Sequence, residues 1–146
     1  MMEGARFRHH PACRDSGNVF SSYRLDVLFN LKKSLSLRYK EVAMNKQILE
    51  NIRSLKRQLI PNERLILFGS QARGDARPDS DWDLLLLLNK QEITLEDERL
   101  YAYPFTKLGW DFGAYFSVKL YSESDWERRS FTPFYKNVEQ DGINIT

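Results

Sequence analysis

Two aspartates, Asp81 and Asp83, stand two residues apart at the head of an apolar run, Trp82–Leu88 (WDLLLLL). In an extended strand the period of two puts both carboxylates on one face and Trp82 on the other. Like charges roughly 7 Å apart beside a core strand repel, and a cation relieves the repulsion. Carboxylate oxygens select a hard divalent ion, and Mg²⁺ brings phosphate oxygens with it. Upstream, a second apolar stretch, residues 64–68 (RLILF), ends on Gly69-Ser70. Gly69 lacks a Cβ, so a ligand can approach the backbone closely. The amides of the turn that follows point outward, ready for an anion, and Ser70 adds a hydroxyl donor. A polar loop, residues 75–80 (DARPDS), joins the two segments, so both can face one site. A phosphate cradle beside metal-binding carboxylates implies phosphoryl or nucleotidyl transfer by metal-assisted in-line displacement. Taken alone, a Gly-Ser pair is a turn and an Asp-x-Asp a loop or cap. The information lies in their conjunction.

The elements that must position these residues are legible nearby. Ile48, Ile52, Leu55 and Leu59 recur at helical spacing and predict a helix over 45–59, ended by Pro61-Asn62. Residues 64–68 form a strand, and Ser70 is placed to N-cap a helical turn over Gln71–Gly74. The unbroken run of Trp82–Leu88 predicts a strand covered on both faces. Thr94 with Asp97 forms a capping-box pattern, so a helix begins near Leu95 and runs, broken by Pro104, to about Gly109. Residues 112–121 (FGAYFSVKLY) have strand character. Ser122 with Asp125 opens a short helix, and Thr132-Pro133 opens another that stops before Gly142. Ile143–Ile145 is a terminal strand. This order predicts an α/β (α+β) domain, a small mixed sheet with helices packed on it.

These motifs resemble the minimal nucleotidyltransferases of the DNA polymerase β superfamily, whose pattern is hG[GS], then x-x-R-G, then S-D-x-D-h-h-h. Here it stands as Phe68-Gly69-Ser70-Gln71-Ala72-Arg73-Gly74 and Ser80-Asp81-Trp82-Asp83-Leu84-Leu85-Leu86. The resemblance covers residues 44–146 and implies the polymerase β-like fold. It assigns Asp81 and Asp83 to Mg²⁺ and Gly69 and Ser70 to the β- and γ-phosphates of an NTP, with ATP the expected substrate. Arg73 either positions phosphate or braces the loop, and Arg77 is read as a solvated loop residue. The family also carries a third carboxylate on the strand after the helix. Here Ser117 stands at that position, and Asp111, six residues upstream, is the nearest carboxylate. The third ligand is therefore read as absent, with Asp111 the weaker alternative. Two functional expectations follow. One is transfer of AMP from ATP to a hydroxyl, on a protein partner. The other is an antitoxin-like or nucleotide-binding module with little or no catalysis. Some small members of this family act chiefly as antitoxin partners of a HEPN-type helical protein, which is the partner the resemblance implies.

Composition sets the remaining bounds. The chain has 146 residues, 42% hydrophobic and 29% charged, as in an ordinary globular domain. The longest apolar run is five leucines, far below the ~20 residues of a membrane helix. A single Cys excludes a disulfide framework and fits a cytoplasmic location. The formal charge of +2 is uneven: residues 1–43 carry +4 and residues 44–146 carry −2. Residues 1–22 are polar and turn-rich, without the apolar core of a signal peptide. His9, His10 and Cys13 are close together but lack a fourth ligand and are read as part of a solvated tail. Residues 23–43 read as a weakly amphipathic helix with Lys32, Lys33, Arg38 and Lys40 on its polar side. That charge alone does not make nucleic acid an expected partner. Met44 opens a self-sufficient pattern, so residues 1–43 are read as an extension and 44–146 as the nucleotidyltransferase domain.

Overall fold

A computed structural model describes residues 19–146, with side chains described at 30–36 and 45–146. The tail and the His9, His10 and Cys13 grouping lie outside the described residues, as do the side chains of Arg38 and Lys40. The chain divides into two units, Met1–Lys40 and Glu41–Thr146. Helix α1, Val19–Leu59, contributes to each. The helix expected over 45–59 is thus the last part of a longer one, with no break at Met44. In the second unit Ile48 and Ile52 are buried, as their spacing predicts. Lys56 and Arg57 occupy the last turn, where cations suit the negative end of the helix dipole. Lys56 also donates to the Pro61 carbonyl at 3.0 Å.

After α1 come β1 (Arg64–Phe68), α2 (Gly69–Arg73) and β2 (Trp82–Leu88). Then follow α3 (Leu95–Asp97), a π-helical turn over Glu98–Ala102, and α4 (Tyr103–Asp111). The chain closes with β3 (Phe116–Ser122), α5 (Glu123–Arg128), α6 (Pro133–Asp141) and β4 (Ile143–Asn144). The four strands form one mixed sheet in the order β3-β2-β1-β4. β1 runs antiparallel to β2 and β4, while β2 and β3 are parallel. A parallel pair needs a long crossover, which α3, the π turn and α4 supply. The fold class is the expected α/β one.

The five leucines of β2 sit at the centre and are almost fully buried because both sheet faces are covered. Trp82, Leu84, Leu86 and Leu88 face one cluster with Ile48, Ile52, Leu65, Leu67, Phe105 and Phe116. Leu85 and Leu87 face a second with Ile66, Trp126 and Val138. Trp126 is buried whole, and its indole N–H donates to Glu139 Oε1 at 2.9 Å, so no polar atom is stranded.

Local signals act largely as their chemistry dictates. The Thr94–Asp97 capping box is complete: Asp97 N–H donates to Thr94 Oγ1 at 3.3 Å, and Thr94 N–H donates to Asp97 Oδ2 at 2.9 Å. Ser122 and Thr132 accept from the backbone amides of Asp125 and Tyr135. The π turn ends at Ala102, two residues before Pro104, with Tyr103 N–H bonded to Glu98 O five residues back. Pro104 has no N–H for the regular helical ladder, which explains why the break falls there.

Two expectations are corrected. The third strand begins at Phe116, not Phe112. Gly113 takes φ +64 and the Ala114 amide folds back onto Gly109 O, so residues 112–115 terminate α4 rather than extend. Glycine's conformational freedom here outweighs the aromatic strand propensity. Ser70 does not cap α2. The helix starts at Gly69, two residues before the expected Gln71, and its N-cap is Phe68, which offers no side-chain cap.

Asp97 is buried, and its carboxyl is held down to about 2, first by a hydrogen bond from Lys90 and then by the Thr94 amide. Its native pKa lies below the ordinary 3.8, so its stabilising contribution is complete above 3.8 and disappears as pH falls toward 2. Acid unfolding followed by circular dichroism should show that slope in the native chain and lose it in Asp97→Asn. Thr94→Ala should cost about 1 kcal/mol in denaturant unfolding at neutral pH.

Candidate active site

The two motif segments meet at one end of the sheet. In the strand register Phe68 of β1 pairs with Asp83 of β2, and Asp83 pairs with Ser117 of β3. Three strands thus bring the end of the glycine segment, one carboxylate and the serine into a single row. Trp82 is buried in the opposite cluster, so Asp83 faces the other way, the side of α5 and α6. Asp81 immediately precedes β2 and is exposed. Within β2, Trp82 and Asp83 alternate as the spacing implies, and the charge of Asp81, one residue before the strand, is felt at Asp83.

Gly69 is the hinge of the arrangement. It joins β1 to α2 with φ +73, a conformation open to glycine. A Cβ built on it would lie 2.3 Å from Asp83 Oδ2, inside van der Waals contact. The backbone of the cradle therefore rests directly against the carboxylate. The first amides of α2 carry no side-chain cap. Ser70 lies in this first turn, and its carbonyl accepts from Gly74 and Asp75.

Asp83 is raised above the ordinary carboxylate value of 3.8. Burial is the first cause, and the neighbouring Asp81 charge adds to it. The Ser117 hydroxyl, Lys119 and Arg73 oppose the rise without cancelling it. A carboxylate in this state gains from a cation. The donor set, two hard oxygen ligands beside a glycine cradle that a Cβ would fill, fits a Mg²⁺ ion that also takes oxygens from phosphate and water. Asp81 and Asp83 would hold it. Among the described residues no three His, Cys, Asp or Glu side chains gather as a metal site. Asp111 ends α4 and is exposed, and residues 112–115 are a turn. The shared strand face that would have aligned it with Ser117 does not exist.

Arg73 Nε pairs with Asp75 Oδ2 at 3.3 Å, so in this structure it braces the loop. Arg77 is exposed, and its backbone alone is engaged: its amide donates to Ser80 Oγ at 2.8 Å and its carbonyl accepts from Ser80 N–H at 3.0 Å. Two residues escaped the sequence reading. Gln71 Nε2 donates to Ser80 O at 3.3 Å, tying α2 to the residue before Asp81. Lys119 lies two positions past Ser117 on the same strand, and its charge reaches Asp83. The period of two from Ser117 was the signal that could have found it. Beside Gly69 a cleft of about 180 Å³ is lined by Phe68, Arg73, Phe134, Asn137 and Asp141. Ligand sites usually enclose ~300 Å³ or more, so this cleft suits part of a ligand only. A larger groove of about 560 Å³, lined by Leu95, Tyr103, Val118 and Leu120 among others, holds none of the motif residues.

The site thus belongs to a mixed α/β domain in which an approachable glycine backbone and paired carboxylates share one end of the sheet. The chain belongs to the nucleotidyltransferase domain family, whose model matches residues 45–135. No curated protein matches it. Among solved structures it is similar to a candidate nucleotidyltransferase from Sulfolobus solfataricus, at 19% identity and TM-score 0.49, over 71% of this chain and 84% of that one. It is also similar to a chain of a toxin–antitoxin structure with AMP-PNP, at 22% identity and TM-score 0.46, over 67% and 72% of the two chains.

Proposed function

We propose that the domain binds Mg²⁺–ATP at Gly69, Ser70, Asp81 and Asp83 and transfers AMP to a hydroxyl on a protein partner. The observation that carries this reading is the contact between the Gly69 backbone and the Asp83 carboxylate, which sets a phosphate-approachable turn beside a cation-seeking group. In the reaction the acceptor oxygen attacks the α-phosphorus and a new P–O bond forms. The bond to the β-phosphate oxygen breaks, pyrophosphate leaves, and the acceptor proton passes to solvent. Bound Mg²⁺ supplies charge neutralisation for the phosphates. The uncapped α2 amides and Ser70 hold the phosphate oxygens, while Gln71 keeps cradle and carboxylates in register.

A second reading is favoured by Ser117, which stands directly across from Asp83 where the family resemblance expects an acid. A serine hydroxyl is a poor base at neutral pH, so activation of the acceptor is weak. On this reading the chain is an antitoxin-like module that binds nucleotide and a HEPN-type helical partner with little turnover. Incubation of the full chain with α-labelled ATP, Mg²⁺ and a HEPN-type protein separates the two. Label on the partner that disappears with Asp81→Ala supports transfer. Complex formation without label supports the binding module, and absence of nucleotide binding overturns both.

A further inference from the structure

We infer that Lys119 supplies, beside Asp83, the positive charge that a second divalent ion supplies in two-metal sites, so that this chain takes up its nucleotide with one metal ion. The inference rests on the Mg²⁺–nucleotide reading above and concerns how that site is balanced. Two-metal phosphoryl-transfer sites hold two ions roughly 3.5–4 Å apart, and bridging acids keep them there. Here the row that would carry such acids reads Phe68, Asp83, Ser117, with one carboxylate in three strands.

The next pair in the β2–β3 register but one is Leu85 with Lys119. Along β3, Val118 and Leu120 pack against the cluster that holds Trp82, whereas Tyr121 packs against the cluster on the Asp83 side. Period-two alternation therefore puts Ser117, Lys119 and Tyr121 on the face that carries Asp83. Lys119 is exposed and, among the described residues, joins no direct ion pair, while its charge is felt at Asp83. Arg73, the other cation felt there, is occupied by Asp75. Farther along the same face Arg129 sits 4.8 Å from the centre of the Tyr121 ring. A second divalent ion on this side would meet an ammonium instead of a carboxylate. A phosphate oxygen would meet a donor with three N–H groups on a flexible stem.

The test counts metal and measures nucleotide on the full chain. Mn²⁺ bound per chain is read by electron paramagnetic resonance with a saturating non-hydrolysable ATP analogue, and analogue affinity by titration. The native chain should hold one Mn²⁺. Lys119→Ala should weaken the analogue about tenfold, the loss of one charge-assisted contact, and Lys119→Arg should restore most of it. The double variant Ser117→Asp/Lys119→Ala should hold two Mn²⁺. Two Mn²⁺ on the native chain, or Lys119→Ala with native affinity while Asp83→Asn loses binding, overturns the Lys119 inference and leaves the nucleotide site standing. A native chain that binds no analogue overturns the site and the inference together. Thermal melts of each variant show whether it is folded, and Lys119, being exposed, is expected to leave the fold intact.

Discussion

Gly69→Ala should remove nucleotide binding and lower the melting temperature, although it adds one methyl group. Two effects act together. The positive φ of +73 costs a non-glycine residue roughly 1–2 kcal/mol. The added Cβ would also fall 2.3 Å from Asp83 Oδ2, so the cradle or the carboxylate must move. Either movement separates the proposed phosphate contacts from the proposed metal ligands. A displacement of about 1 Å in such a constellation is enough to lower turnover on the order of 100-fold. Gly74 provides the control within the same motif. It too has positive φ, +78, but a Cβ there meets nothing within 4 Å. Gly74→Ala should therefore cost stability alone. Nucleotide titration and thermal melts of both variants check the prediction. Equal binding by Gly69→Ala and Gly74→Ala would remove the steric basis of the proposed site.

Asp83→Asn should act in opposite directions on the free and the liganded protein. In the free chain Asp83 is raised above 3.8, chiefly by burial. The native state then holds its proton more tightly than the unfolded chain does. Stability consequently falls as pH rises from 3.8 through the native value, and the ionised carboxylate destabilises the fold at neutral pH. The amide has no charge to bury, so the ligand-free variant should melt higher than the native chain at pH 7 and lose that segment of pH dependence. With Mg²⁺ and nucleotide the order reverses. A ligand at a hundred times its Kd stabilises the native chain by about 2.7 kcal/mol, and the variant, lacking a metal ligand, should gain none of it. A single melting series, with and without Mg²⁺–ATP, contains both halves of the test. An amide variant that melts lower when free, or that still responds to ligand, contradicts the assignment of Asp83.

Much of this site was readable because each signal was local. WDLLLLL is a strand with both faces buried, and its first and third positions set the side that Asp83 faces. Thr94 with Asp97, Ser122 with Asp125, and Thr132 before Pro133 each specify a helix start through side-chain hydrogen bonds to the first turn. The misreadings arose where a local preference met a longer constraint. The FGAY stretch has strand propensity, yet Gly113 closed the preceding helix. Ser70 is a fitting cap residue, but Gly69 at positive φ started the helix two positions early. Lys119 was overlooked because its role depends on the register of β3 against β2, and register is decided by packing on both strands. Gln71 was overlooked for a similar reason, since its partner Ser80 lies across a loop.

The junction at Phe68 and Gly69 has one further consequence. β1 ends and α2 begins on adjacent residues, with no linker between them. The turn proposed to meet phosphate is therefore an extension of a strand whose Leu65, Ile66 and Leu67 are buried. Its conformational entropy is surrendered when the sheet assembles, not when a ligand arrives. Calorimetry of nucleotide binding should accordingly show little ordering entropy from this side of the site. Backbone amide exchange at Gly69 and Ser70 should then slow only modestly on binding, because the frame is already set.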